Sequence, residues 1–362
     1  MRKLWAFCLT MALFVSATIQ GAGTVSADTT NSEATNIVSS SSEMTNSEAV
    51  NANAAPAIKL TDIDGHWAEA TIREMVDKGI IKGFPDKTYR PEAPMTEEQF
   101  FALLHRSVPK FKGHKLDNYI YTSYLKNMQK GWSKEVYDQM MVAGIVPYNP
   151  PGTLIDRLSA TRLMLTALGE GDSGRAYQGT KEQWFKDISL KDEYEIYFAY
   201  PAYKLGLIEG YPDDTFRPKT NLTRAQAAVV LKRFQQKMTE LYPDNVNQDT
   251  KQQVIKALTD FFVKVDLSKI KNFSELEDVV KKNKLPASKA FLDEHFGFLK
   301  VTGTDFAAFP AFDELIYITK VKEGKYRVVV QYYSGELVGS LARTFYVTST
   351  DGNTFVLVGK NE

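Results

Sequence analysis

The stretch FPDKTYRPEAPMTEEQFFALLHR at Phe84–Arg106 returns as YPDDTFRPKTNLTRAQAAVVLKR at Tyr211–Arg233. With Gly79 set on Gly206, no gap is needed. Gly83 then meets Gly210, Asp86 meets Asp213, Arg90-Pro91 meets Arg217-Pro218, and Thr96 and Gln99 meet Thr223 and Gln226. Upstream, Asp62-Ile63 answers Asp187-Ile188, so a short insertion precedes Tyr194, which stands in the place of Trp67. A weaker copy lies between the two. Trp132 precedes Gly144 as Trp67 precedes Gly79, and Ile155–Leu165 answers Leu222–Lys232 with Arg157 opposite Arg224. The middle copy lacks the Gly-Phe-Pro-Asp loop. Self-similarity of this kind marks a unit that cannot bury its own apolar face and folds only by stacking on its neighbours.

Each copy reads as helix, loop, helix. In the first, Trp67, Ile72, Met75 and Val76 recur at helical spacing. Gly79 suits a left-handed helix end. The Gly-Phe-Pro-Asp and Arg-Pro segments are turn chemistry. Thr96 with Gln99, and Thr223 with Gln226, have the three-residue spacing of a capping box at the start of the second helix. Three such pairs together can form a small all-α bundle.

The rest of the chain changes character. Arg2-Lys3, the apolar run LWAFCLTMALFVSATI and the small residues Val25-Ser26-Ala27 read as a secretory leader at 1–27. Its Cys8 is the only cysteine, so the mature chain is expected to have no disulfide, thiolate metal site or cysteine nucleophile. Residues 28–57 are rich in Ser, Thr, Asn and Ala and read as a disordered linker. The copies occupy 58–109, 110–170 and 180–236. Residues 245–362 form a separate α+β domain. There Val254, Leu258, Phe261, Phe262 and Val265 make a helical stripe, and Ser274 with Glu277 makes a capping box. A third short helix surrounds ASKAFLDEHF. Alternating runs around KEG and STDGN then predict a four-strand antiparallel meander with a helix across one face. Tyr317, Tyr326, Tyr332 and Phe345 can line a pocket or pack in its core, and the core is their expected place. The expected fold class is α+β multidomain: an all-α helical bundle followed by helices and a meander.

The segments DIDGHWAEATI…KGIIKGFPDKTYRPEAPMTEEQ and KDI…KLGLIEGYPDDTFRPKTNLTRAQ resemble S-layer homology modules, and LTRAQ is close to that family's Thr-Arg-Ala-Glu signature. The resemblance covers about 58–236. It implies three modules in a three-pronged helical bundle that binds pyruvylated secondary cell-wall polymer in a bacterial envelope. The C-terminal order is faintly similar to nuclear-transport-factor-2-like folds, which implies architecture and no activity.

The residues support an acidic-sugar site on their own terms. Behind a Thr223 cap, Arg224 opens a helix, where free N–H groups and the positive helix end favour anions. Its guanidinium offers two prongs that match a carboxylate, and a pyruvyl ketal puts a carboxylate on a sugar. Tyr211, Trp67 and Trp132 can face sugar rings, although core packing is the expected place of the tryptophans. Polymer contacts are thus assigned to Arg224, Arg157, Thr223, Trp67, Trp132, Asp62, Asp187, Gly83, Gly210 and Tyr211. Glu97, opposite Arg224, suits the helix dipole but repels an anion, so the first copy is expected to lose its clamp.

Other chemistry finds little support. Lys+Arg and Asp+Glu both number 44, which argues against a nucleic-acid partner. GEGDSG at Gly169–Gly174 follows a helix and not a strand, the wrong setting for a dinucleotide. The Asp62–Gly65 stretch fails as a calcium loop, because its twelfth residue is Arg73 and not Glu. The histidines have no zinc spacing, and no G-x-S-x-G occurs. The reading is an exported, non-enzymatic wall anchor with no cofactor, metal or membrane span in its mature form. A wall-anchored enzyme and a surface assembly factor are the alternatives, each using the C-terminal domain.

Overall fold

The structure is a computed structural model. It describes residues 59–108, 131–142, 145, 149–150, 152–171, 173–265, 270–296, 316–333 and 340–362. The leader at 1–27, the linker at 28–57 and the opening of the middle copy at 110–130 lie outside the described residues.

Two helices come from each copy: α1 (Glu69–Asp77) and α2 (Glu97–Ser107), α3 (Lys134–Val142) and α4 (Arg157–Ala167), and α5 (Glu193–Lys204) and α6 (Arg224–Leu241). Both capping boxes predicted for these helices form, with Thr96 and Thr223 accepting from Gln99 N and Gln226 N. Ile72 and Met75 are buried as their spacing requires. Trp67 is not: it lies before the helix, in a turn, and is 64% exposed. Ala68 takes the buried place beside it. The expectation that Trp67 packs in the core is therefore corrected.

The helices pair across copies. Helix α1 rests on α6, α3 on α2 and α5 on α4. The first helix of each copy is thus covered by the second helix of another, and one continuous apolar cluster joins all of them. The residues that enter the second helices close the ring. Met95 N donates to Leu222 O, Leu222 N to Ile155 O, and Ile155 N to Met95 O, at 2.9–3.0 Å. Their side chains are fully buried. Buried backbone groups need partners, and here each copy supplies the next.

The C-terminal part begins with α7 (Gln248–Lys264) and α8 (Phe273–Lys282), followed by a helical stretch at 289–296. The predicted stripe Val254, Leu258, Phe261, Phe262 and Val265 is buried. Helix α8 starts earlier than expected. Asn272 caps it by accepting from Glu275 N, which places Ser274 and Glu277 inside the helix. Four strands follow, β1 (Ile316–Lys322), β2 (Lys325–Tyr333), β3 (Ser340–Thr348) and β4 (Val356–Val358), paired antiparallel in chain order. Successive strand residues face opposite sides. Ile318, Val328, Val330, Phe345 and Val347 pack with α7 and α8.

Tyr317 and Val329 point the other way, into the cluster of the helical ring. Strand β2 lies against α3 and β3 against α4. The meander was expected to have a helix across one face; its second face is covered as well, by the middle copy. Of the four aromatics assigned to its core, Tyr317 and Phe345 are buried and Tyr326 is partly so. The side chain of Tyr332 lies outside the described residues.

This junction is polar at its rim. The Tyr317 hydroxyl donates to Ala167 O at 2.8 Å and that of Tyr242 to Leu168 O at 2.6 Å. Both carbonyls belong to the C-terminal end of α4, which has no intrahelical donors left for them. The two rings stack at 4.3 Å. Burial pushes both phenols well above their ordinary pKa. Tyr317→Phe leaves Ala167 O without this donor and is expected to cost about 1–2 kcal/mol. Urea unfolding of the full chain checks this: the midpoint falls while the slope stays. An unchanged midpoint contradicts the contact.

Candidate functional site

The two complete loops are near duplicates. The Asp62 carboxylate accepts from Tyr89 N and Arg90 N, both at 2.7 Å. Asp187 does the same with Phe216 N at 2.7 Å and Arg217 N at 2.6 Å. Arg90 and Arg217 both have φ 58. A side chain in this left-handed region costs roughly 1–2 kcal/mol, and charge-assisted bonds to a carboxylate offset it. Each loop has a second acidic clamp. Asp86 accepts from Thr88 and from Arg90 at 2.8 Å, and Asp213 from Thr215 and from Arg217 at 2.9 Å. These bonds, those from the threonine hydroxyls foremost, hold both carboxyls at about 2.

Gly83 and Gly210 are required for contact. A Cβ at Gly83 would stand 2.6 Å from Leu60 Cδ2, and one at Gly210 would stand 2.7 Å from Phe185 Cε1. Leu60 and Phe185 are buried anchors of the two copies.

Each second-helix start faces the loop of a different copy. Arg224 reaches the first copy's loop: its Nε donates to Tyr89 O at 2.7 Å, and its guanidinium lies 4.6 Å from the Phe84 ring centre and 4.7 Å from that of Tyr89. Arg90 covers Phe84 as well, at 4.0 Å. Arg157 reaches the last copy's loop: Nε donates to Phe216 O at 2.8 Å and a terminal nitrogen to Glu209 O at 2.7 Å. Tyr211 then lies between Arg157 at 4.8 Å and Arg217 at 3.8 Å. Phe84 and Tyr211 thus each have two guanidinium groups beside them.

Glu97 completes the cycle by facing the middle copy. It is fully buried, and its carboxylate accepts from the Asn149 side-chain nitrogen at 2.7 Å. Arginine stands where the opposing loop is Gly-aromatic-Pro-Asp, and glutamate where that loop is missing. The expectation that Glu97 is a vacant clamp of the first copy is corrected: it faces the middle copy and carries a buried contact.

The helix starts are also not free, as the sequence argument assumed. Arg224 N donates to Ala93 O, Ala225 N to Pro91 O, and Gln226 N to the Thr223 hydroxyl. The equivalent bonds at α4 run from Arg157 N to Thr220 O and from Leu158 N to Pro218 O. An anion there must be held by side chains. Burial pulls the pKa of both arginines below the ordinary value. They differ in engagement. Arg157 uses two nitrogens on carbonyls. The terminal nitrogens of Arg224 take no hydrogen-bond partner among the described residues.

The structure therefore brings together Arg224 with the loop that Asp62 and Gly83 shape, and Arg157 with Tyr211, Asp187 and Gly210. Thr223 serves as the cap. Among the described residues the Trp67 ring meets that of its neighbour His66, tilted, at 5.4 Å, and no other ring. Trp132 is half-buried in the turn Gly131–Ser133. Sequence reasoning missed Phe84, Arg90 and Arg217. Their signal was present in the repeated aromatic-Pro-Asp and Arg-Pro turns. Among the described residues, no group of three His, Cys, Asp or Glu could hold a metal, and no helix is long and apolar enough to cross a membrane.

Two segments, 59–101 and 185–228, match the S-layer homology domain, so the chain carries this domain at both complete copies. Residues of the chain are 46% identical over 52 positions to the cellulosome-anchoring protein of Acetivibrio thermocellus, covering 14% of this chain and 12% of that protein. The S-layer protein EA1 of Bacillus anthracis is 28% identical over 170 positions, 45% of this chain and 18% of its own. An amylopullulanase of Thermoanaerobacterium thermosulfurigenes is 26% identical over 181 positions, 47% of this chain and 9% of its own. The chain thus spans less than a fifth of each of these relatives.

Proposed function

We propose that this chain is an exported bacterial cell-surface protein, anchored non-covalently to secondary cell-wall polysaccharide by its helical ring. The polymer is one that carries pyruvyl ketals, and the middle copy is a divergent third S-layer homology module of a three-pronged bundle. The observation that carries this reading is the Arg224–Phe84–Arg90 cluster. A half-buried aromatic ring lies between two guanidinium groups, and Arg224 has terminal nitrogens unspent. An unspent guanidinium edge suits a carboxylate. Arg224 is only 5% exposed, so the ligand meets its edge.

The relatives support an anchoring role. The same kind of segment occurs in a cellulosome-anchoring protein, an S-layer protein and an amylopullulanase, as expected of an attachment device joined to varied partners. The C-terminal helices and meander, nuclear-transport-factor-2-like by architecture alone, are the part displayed. Their covered second face makes them a fixed part of the body instead of a loosely tethered one.

The test is co-sedimentation of the full chain with purified wall sacculi. Binding is expected to native sacculi and to disappear when the polymer is stripped. Removal of the ketals alone should lower it strongly. Equal binding to stripped sacculi overturns the anchoring function.

A further inference from the structure

Beside the last copy's loop lies an open hollow of about 390 Å³, lined by Asp187, Glu195, Arg217, Pro218, Lys219 and Thr220. It is at the small end of the range of ligand pockets, roughly 300–1,000 Å³. Its chemistry differs from that of the arginine clusters. Glu195, in the first turn of α5, is 8% exposed, and no hydrogen bond or ion pair reaches its carboxylate among the described residues. Burial, then nearby Asp192, raises its pKa. Lys219 at the rim is exposed and unpaired among the described residues.

In the first copy the counterpart of Glu195 is Ala68, which is buried. The counterpart of Lys219 there is Glu92, which is held by His66 at 2.6 Å. The last copy thus has a carboxylate where the first has an apolar side chain, and a cation unpaired among the described residues where the first has a paired acid.

We propose that this hollow is a second binding site, for a neutral hydroxylated sugar ring. The lining holds two acids, Asp187 and Glu195, and two bases, Arg217 and Lys219. Their formal charges cancel, so nothing selects an ion. Glu195 accepts from adjacent ring hydroxyls, while Lys219 and the Thr220 hydroxyl donate to ring oxygens. Arg217 is shared: its guanidinium stacks on Tyr211 while its residue also lines the hollow. The hollow therefore adjoins the Arg157 cluster and would take a neutral residue of the same glycan. The ligand class rests on the wall-polysaccharide reading; the vacancy at Glu195 does not.

The test is an amide-detected NMR titration of the full chain with two neutral probes, diacetylchitobiose and methyl mannopyranoside. Shifts are expected at Glu195, Lys219 and Thr220 at millimolar concentrations. Glu195→Gln should weaken binding about tenfold, which corresponds to one well-made hydrogen bond to a charged group. Lys256→Ala, on the exposed side of α7, should leave this titration unchanged. Absence of shifts there with both probes at tens of millimolar overturns the proposal, as does equal binding by Glu195→Gln with the fold intact by circular dichroism. The two readings fail separately. Sacculus binding that survives removal of the polymer sinks the anchor without touching the titration, and a silent titration sinks the pocket alone.

Discussion

Arg224→Ala is expected to weaken binding of a pyruvylated wall-polymer fragment by about ten- to a hundredfold, the worth of one charge-assisted, two-pronged contact. The effect should largely vanish on the same fragment without its ketal. Arg157→Ala should weaken binding less. Its guanidinium already serves two carbonyls, Phe216 O and Glu209 O, so less of it is available to a ligand. The order reverses for stability: Arg157→Ala leaves two carbonyls without donors, and Arg224→Ala leaves one, Tyr89 O. Calorimetric titration of the full chain, paired with urea unfolding of each variant, separates the two effects. Equal losses on both fragments, with stability unchanged, mean that Arg224 does not meet the pyruvyl carboxylate. A larger binding loss for Arg157→Ala than for Arg224→Ala overturns the assignment of the unspent edge.

What the sequence made legible was local chemistry. The Thr96 and Thr223 caps, the repeated loops and the α7 stripe depend on residues a few positions apart, and each stands where expected. The pairing of copies was not legible. An apolar stripe such as Ile72-Met75 states that a helix is covered, not by which neighbour, and the neighbour turned out to be α6 of another copy. The Arg-Glu alternation then looked like loss of function, because Glu97 was set against its own loop. The repeat of the Arg-Pro turns singles out Arg90 and Arg217, but a residue before proline reads as a turn and does not reveal which ring its side chain covers. The second covered face of the meander did leave a sign. Val328, Val329 and Val330 are consecutive, and a strand apolar on both sides is one buried on both sides. Alternation was read where continuity should have been.

Glu97→Arg, which would give the first copy the residue of the other two, is expected to destabilise the chain and create no third cluster. Glu97 is fully buried and faces donors: the Asn149 side-chain nitrogen at 2.7 Å and, more distantly, its backbone nitrogen at 3.4 Å. A guanidinium offers donors only. The carbonyls and aromatic ring that receive Arg157 and Arg224 belong to complete loops, and the middle copy has none. Inverting a buried, hydrogen-bonded charge in this way should cost about 3–5 kcal/mol. Glu97→Gln keeps an acceptor oxygen and should cost about 1 kcal/mol. The double variant Glu97→Arg with Asn149→Asp restores an acceptor and should recover part of the loss, a coupling of roughly 1–3 kcal/mol in a double-mutant cycle. Urea unfolding of the four proteins measures it. Additive losses would mean that Asn149 is not what fixes the acid at this position. A Glu97→Arg chain of undiminished stability, with a gain in polymer binding, would restore the reading in which Glu97 is merely an arginine that was lost.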